Sequence, residues 1–425
     1  MFSSLMFLLL ISSSINTLGI QLSPPTSIPK SFSLPMYRKD QLAKKDMARL
    51  HHTATSDEET SYRTSLYDLG SEYVVYLSVG DPPQSNAFLV DTGSELLWMQ
   101  CEPCRQCFNQ TDSLLIFDPF DSLSYKEINC NSAQCHHHKS FIKGCNDSKC
   151  RYEYNYADKS YSHGKIITEM LTFSLDGDPV ENIVMGCGND NAGVYSGVYN
   201  GILGLGPGSY SLINQMRVTN FSFCLPGPNF FKSTTLDMFH TGPDKKTTII
   251  APLFRNPFTT YHYVGFKGIS LNNEMVPIPS FNWDPNYNHG VIIDSGTVMT
   301  RIPRNAYNIF LKAFLDFTTD DMIPTEPPKD HVDLTCFSTW PEKYSVPEVK
   351  FHFTSTSSLT LTTMQVFTFD TIENRIGEET KLLVCLGFVP MDIGFTILGS
   401  KQLQGTRQTF DMVNSILKLT PNECY

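Results

Sequence analysis

Phe88-Leu89-Val90-Asp91-Thr92-Gly93-Ser94 and Val291-Ile292-Ile293-Asp294-Ser295-Gly296-Thr297 share one pattern: an apolar run, then Asp, a hydroxyl residue, Gly and a second hydroxyl residue. Average composition gives one such pattern by chance in about 10⁻³ of chains this long and two in about 10⁻⁵, so the pairing is informative where a single Asp-Thr-Gly is not. Each apolar run predicts a buried strand that carries a carboxylate to its end. Gly93 and Gly296 let the backbone turn and bring an N–H against a carboxylate oxygen. Thr92 and Ser295 can lock the two loops together, while Ser94 and Thr297 can hydrogen-bond the outer carboxylate oxygens.

If Asp91 and Asp294 meet, their like charges cannot both ionise cheaply, and the pair keeps one proton over a wide acidic range. One carboxyl is then an acid and the other a base. Such a pair can send a water at a carbonyl carbon with no cofactor, no metal and no covalent intermediate.

Each copy is followed by a hydrophobic-hydrophobic-Gly segment, Ile202-Leu203-Gly204 and Ile397-Leu398-Gly399. With these, the chain resembles the pepsin-fold aspartic endopeptidases from residue 72 to the C-terminus. The cysteine-rich insert Cys101-Glu102-Pro103-Cys104-Arg105-Gln106-Cys107-Phe108 after Trp98, and Phe221-Ser222-Phe223-Cys224-Leu225, resemble the nepenthesin-like plant subgroup of that family. The resemblance implies an all-β, bilobal acid protease fold with few short helices and an active-site cleft between lobes 72–245 and 250–425. It implies Asp91 and Asp294 as the catalytic pair, a peptide or protein substrate, and a flap over residues 150–160. The flap tyrosine falls on Tyr156, with Trp98 as its hydrogen-bond partner. Ala157 and Lys159 stand where the family usually has glycines, and Lys401 where the subgroup has Asn or another polar residue. Disulfides Cys101–Cys104, Cys107–Cys187, nested Cys130–Cys150 and Cys135–Cys145, Cys224–Cys424 and Cys336–Cys385 are also implied. The alternative is a catalytically silent binding protein on the same scaffold, such as a glycosidase or xylanase inhibitor. Proteins of that kind generally lose one aspartate, and here both remain.

Length and composition agree with two lobes. The 425 residues exceed the usual range of a single core. With 26 Gly, 26 Pro and many short apolar runs, the chain reads as mostly β. Tyr73–Val79 and residues 359–362 are the strongest strand patterns, Arg304–Phe317 the best helix by periodicity, and residues 209–217 a second helix. The excess of 43 acidic over 32 basic residues argues against nucleic-acid binding. A monomer without a membrane partner is expected.

Residues 5–11 form an apolar core ahead of small residues, a secretory signal pattern ending near residue 19. By resemblance, residues 20–61 are a propeptide. Its basic residues Lys39, Lys44, Lys45 and Arg49 can lie in an acidic cleft at neutral pH and let go in acid. Twelve cysteines behind a secretory signal argue for disulfides over a metal knuckle at Cys101, Cys104 and Cys107. His136-His137-His138 reads as an exposed basic turn. Sequons at Asn109, Asn146 and Asn220 fit secretion, with the third beside a buried strand. The expected location is extracellular, with an acidic vacuole as the other destination.

Overall fold

The computed structural model describes residues 31–38 and 73–424, apart from 111–113, 137–140, 174–178, 228–233, 240–248, 257–258, 286–288, 319–321, 323, 328–332, 339–345 and 373–380. The signal at 1–19 and most of the stretch read as a propeptide, including Lys39, Lys44, Lys45 and Arg49, lie outside the described residues.

The molecule is mostly β, as the sequence predicts. Tyr73–Val79 pairs antiparallel with Gln84–Asp91, which is buried from Asn86 onward and so reads as a continuous apolar run. Gly201–Gly204 lies parallel to the latter, with Gly204 opposite Asp91. The second half repeats this: Val291–Asp294 runs parallel to Thr396–Gly399, with Gly399 opposite Asp294. The two hydrophobic-hydrophobic-Gly segments are therefore the partners of the two aspartate strands. A side chain at Gly204 would meet Leu96 N at 2.7 Å, and one at Gly399 would meet the Met299 carbonyl carbon at 2.7 Å.

Both lobes rest on one antiparallel platform. Ser31–Arg38, Thr234–Phe239, Asn220–Cys224, Thr406–Asp411, Ile416–Pro421 and Ile249–Phe254 lie in that order. Phe221 of the first lobe stacks on Phe410 of the second at 4.4 Å between ring centroids. Such an offset pair adds about 0.5–1.5 kcal/mol beyond the area it buries. Ser31–Arg38, inside the expected propeptide, also pairs with Tyr73–Val79, Met36 lying opposite Val75.

In the second lobe, helix Arg304–Phe317 buries Ala306, Tyr307, Phe310 and Phe314, the face its periodicity predicts, and sets Phe310 4.9 Å from Phe388. Residues 209–217 yield only the single turn Leu212–Gln215. The Asn214 side chain bonds back to the carbonyls of Pro207 and Gly208, and Arg217 at φ +52° closes the turn. The strand predicted at 359–362 is Ser358–Thr360. Thr362 instead starts a short helix, its N–H donating to Gln365 Oε1 at 2.7 Å. No described helix is long and apolar enough to cross a membrane.

All twelve cysteines are paired, and four of the six expected pairings are corrected. Cys101 ends the strand Trp98–Gln100, which lies parallel to Val180–Ala192, and its N–H donates to Gly188 O at 2.8 Å. That register pairs Cys187 with Met99, and Cys101, two residues on, joins Cys187, while Cys104 closes on Cys107. The other four interlace instead of nesting, as Cys130–Cys145 and Cys135–Cys150. Ile142–Asn146 and Lys149–Asn155 form a hairpin, and Cys130 meets its tip by donating its N–H to Ser148 O, close to Cys145. Cys135 is buried against the inward-facing Cys150. Cys224–Cys424 and Cys336–Cys385 form as expected.

Cys224–Cys424 spans 200 residues and fastens the C-terminal end to the platform. Chain-entropy arguments assign such a closure up to about 5 kcal/mol. Replacing both cysteines with Ala is expected to lower stability by about 2–5 kcal/mol in denaturant titration, with no change in the spectrum of the folded state.

Candidate active site

The two loops face each other across the lobes and exchange hydrogen bonds. Thr92 N–H donates to Ser295 Oγ at 3.1 Å, and Ser295 N–H donates to Thr92 Oγ1 at 2.9 Å. Each hydroxyl then donates onward, Thr92 to Ile293 O at 3.1 Å and Ser295 to Val90 O at 2.8 Å. Every donor and acceptor of the exchange is buried and satisfied, so the loop tips have one mutual register.

This clamp presents Asp91 and Asp294 to one another. Gly93 N–H donates to Asp91 Oδ1 and Gly296 N–H to Asp294 Oδ1, both at 2.8 Å. Ser94 Oγ donates to Asp91 Oδ2, and Thr297 Oγ1 to Asp294 Oδ2 at 2.6 Å. The glycines also make room: a Cβ on Gly93 would lie 2.5 Å from Asp294 Cγ, and one on Gly296 2.5 Å from Asp91 Oδ1. Burial and the neighbouring Asp294 charge push the Asp91 carboxyl well above the ordinary carboxylate range, against the opposing bonds from Ser94 and Gly93.

The hairpin of Lys149–Asn155 and Tyr161–Thr172 meets the Asp91 loop where Glu95 N–H donates to Tyr154 Oη. Trp98 Nε1–H donates to Tyr156 Oη at 2.6 Å, and the Tyr154 and Tyr156 rings lie 5.1 Å apart. Asp158 shapes the tip by accepting from the N–H and Oγ of Ser160, both at 2.9 Å. Lys159 stands at φ +72°, a backbone position that favours the glycine usual there.

Two neighbours of the pair escape a reading of the sequence. Tyr261, packed on Phe395 in the second lobe, has its phenol pKa raised by burial and then by the charges of Asp294, Tyr263 and Asp91. Glu95 is 1% exposed. Its N–H donates to Tyr154 Oη at 3.3 Å, and its carboxyl accepts from Tyr210 N–H at 3.4 Å. Burial pushes that carboxyl up to about 7, with the Tyr210 bond acting the other way. The available signal was an acidic residue leading straight into the apolar run Leu96-Leu97-Trp98.

The remaining sequence candidates fall elsewhere. Cys101, Cys104 and Cys107 are all in disulfides. Of His136-His137-His138 only His136 is among the described residues, ending a one-turn helix. Asn109 is exposed, Asn146 ends a strand, and Asn220 is half-buried in the platform, its amide donating to Thr219 Oγ1 at 3.1 Å. Lys401 is buried, its N–H donating to Val298 O at 2.9 Å.

The raised Glu95 carboxyl has a stability consequence. Below pH 4.5 both folded and unfolded states hold the proton; as pH rises toward 7 the unfolded chain ionises first, so stability falls by about 2–3 kcal/mol. Glu95→Gln is expected to match the wild type near pH 4 and to gain on it progressively toward pH 7, read as the difference in unfolding free energy at each pH.

Residues 73–235 match the family described as xylanase inhibitor N-terminal, and residues 261–421 match xylanase inhibitor C-terminal. The chain is 32% identical over 388 residues to aspartic proteinase nepenthesin-2 of Nepenthes gracilis, covering 87% of this chain and 82% of that protein. It is 33% identical over 365 residues to the protein Aspartic Protease in Guard Cell 2 of Arabidopsis thaliana, covering 84% and 74%. The crystal structure of edgp superposes with a TM-score of 0.66 at 19% identity, over 93% of this chain and 96% of that one. Basic 7S globulin from soybean superposes at 0.64 and 17% identity, over 93% and 97%. The solved structures share the fold, and the curated relatives are about a third identical over most of the chain: the chain belongs to the nepenthesin-like family of pepsin-fold aspartic proteases.

Proposed function

We propose that this protein is an aspartic endopeptidase that hydrolyses peptide bonds in acid. The observation that carries the reading is the pair Asp91 and Asp294, each held by a glycine N–H and a hydroxyl, with the Asp91 carboxyl retaining its proton against the neighbouring charge. Aspartic proteases as a class work through two carboxyls that share one proton. A water between the carboxyls loses a proton to the carboxylate partner and attacks the peptide carbonyl carbon. Asp91 protonates the carbonyl oxygen, and the tetrahedral diol collapses with release of the amine. Tyr156, fixed by the Trp98 indole, covers the extended substrate and helps exclude water.

The rest of the proposal follows from secretion. The N-terminal signal pattern and twelve paired cysteines support an oxidising route to an extracellular or vacuolar site, with sugar at the exposed Asn109. The protein is made as a zymogen. Ser31–Arg38, a strand added to the platform, is part of the segment removed.

A second reading has one observation in its favour: both family matches carry the name xylanase inhibitor. The intact second aspartate with its own Thr297 and Gly296 bonds weighs against a silent scaffold.

Cleavage of an unfolded general protein substrate between pH 3 and 7, with Asp294→Asn as control, separates the two. The peptidase is expected to cleave in acid and to lose on the order of 10³-fold or more in kcat on substitution. Because the pair must keep one proton, cleavage is expected to fail as the pH rises past the raised Asp91 carboxyl. A disulfide-intact, propeptide-free sample that binds a glycanase and cleaves nothing would establish the binding protein instead.

A further inference from the structure

His262 lies just before the strand Tyr263–Val264 of the second lobe and is 3% exposed. Its Nε2 is 2.8 Å from the carbonyl oxygen of Leu205 in the first lobe. A carbonyl can only accept, so Nε2 carries the hydrogen. Leu205 directly follows the strand paired with Asp91, and its own N–H donates to Asp91 O at 2.8 Å. On the other side, the His262 carbonyl accepts from the N–H of Ile293 at 3.1 Å, one residue before Asp294. One residue thus reaches the backbone beside each aspartate through three hydrogen bonds in series. Its ring packs 4.9 Å from Phe410 and 6.0 Å from Phe221, the stacked pair of the platform.

We propose that His262 is a positioning residue that fixes the separation of the two aspartate loops from behind, a role that rests on Asp91 and Asp294 being the catalytic pair. The Thr92–Ser295 exchange locks the loop tips. His262 ties the strand ends that carry them, and its tie alone includes a side chain that titrates in acid.

Burial pushes the imidazole down to about 4; the Leu205 bond opposes this and the Arg255 charge adds to it. Arg255 follows the strand Ile249–Phe254 and lines, with Leu253, Phe254, Pro207 and Met412, a cavity of about 10 Å³ beside the ring, no roomier than one water. From the Phe410 strand, Asp411 is turned away, accepting from the N–H and side-chain amide of Asn414, both at 2.9 Å. Leu205-Gly206-Pro207 and Phe221-Ser222-Phe223 carry no titratable side chain. Beyond Ile293, Asp294 turns into the catalytic pair, and Tyr261 and Tyr263 flank His262 in sequence. Among the described residues, no carboxylate therefore compensates an imidazolium here. The unfolded chain takes up this proton near pH 6.5 and the folded one near pH 4, so stability falls as pH drops between those values. Below that window the charged ring loosens the tie, and the acidic limb of turnover is set by His262.

The test measures kcat, KM and thermal unfolding from pH 3 to 7 for the wild type, His262→Gln and His262→Leu. Gln keeps an N–H donor without titrating; Leu keeps bulk without the donor. At pH 5, His262→Leu is expected to lower kcat about 10-fold or more with KM within about twofold, and His262→Gln to restore most of that loss. His262→Gln is also expected to hold its activity at pH 3–4, where the wild type declines, and to gain about 3 °C or more in Tm over the wild type between pH 6.5 and 4. Wild-type kcat in His262→Leu, or an acidic limb and Tm–pH curve in His262→Gln that superimpose on the wild type's, would overturn the proposal. A wild type that cleaves at no pH sinks the peptidase reading, while parallel Tm–pH curves of the wild type and His262→Gln separately overturn the titrating tie.

Discussion

The two aspartates meet because two hydroxyl residues from opposite lobes satisfy each other's backbone. Thr92 and Ser295 each give an N–H to the other's oxygen and pass their own hydrogen to a carbonyl across the divide. Breaking one member would leave several buried polar groups without partners at once, at about 1–3 kcal/mol for each. That penalty is what allows two carboxyls to be held together against their repulsion. Asp91 and Asp294 come together in a single arrangement, and the raised Asp91 carboxyl follows from its burial there beside the Asp294 charge.

The platform beneath makes the clamp possible. Each aspartate strand is buried on both faces and bonded in parallel to a strand ending in glycine, so neither can slide along its partner without driving a side chain into backbone. Phe221 on Phe410 and the Cys224–Cys424 bridge then couple the lobes away from the cleft. The cysteine insert and the hairpin tip at Asp158 and Ser160 belong to the first lobe.

Much of this was legible because it is local. Asp-Thr-Gly-Ser and Asp-Ser-Gly-Thr state their own hydrogen bonds, and Arg304–Phe317 states its buried face through the spacing of Tyr307, Phe310 and Phe314. The disulfide partners of the insert and the hairpin were not legible. They depend on which strand Trp98–Gln100 lies beside and on which face of the hairpin Cys135 covers, and spacing carries neither fact. Residues 209–217 misled because apolar spacing was read without the Asn214 side chain, which competes for Pro207 and Gly208 carbonyls. Glu95 and His262 were passed over for a related reason. Each is polar in an apolar setting, and its meaning lies in groups more than fifty residues away.

Those two residues act on stability in opposite senses. Glu95 keeps its proton in the fold up to about pH 7, and His262 stays unprotonated down to about pH 4. Between these limits both buried groups are neutral, while in the unfolded chain both carry charge over much of the same range. As pH rises from 4.5 to 6.5, the unfolded state loses about half a proton from each group, while in the folded state Glu95 stays mostly protonated and His262 mostly neutral. The Glu95 difference lowers stability with rising pH and the His262 difference raises it, each with a slope of about 1.4 kcal/mol per pH unit in the middle of the window. Their slopes nearly cancel, so this pair of groups leaves the folded state almost insensitive to pH across that window. The two buried side chains near the carboxyl pair thereby add no charge to the interior across this window.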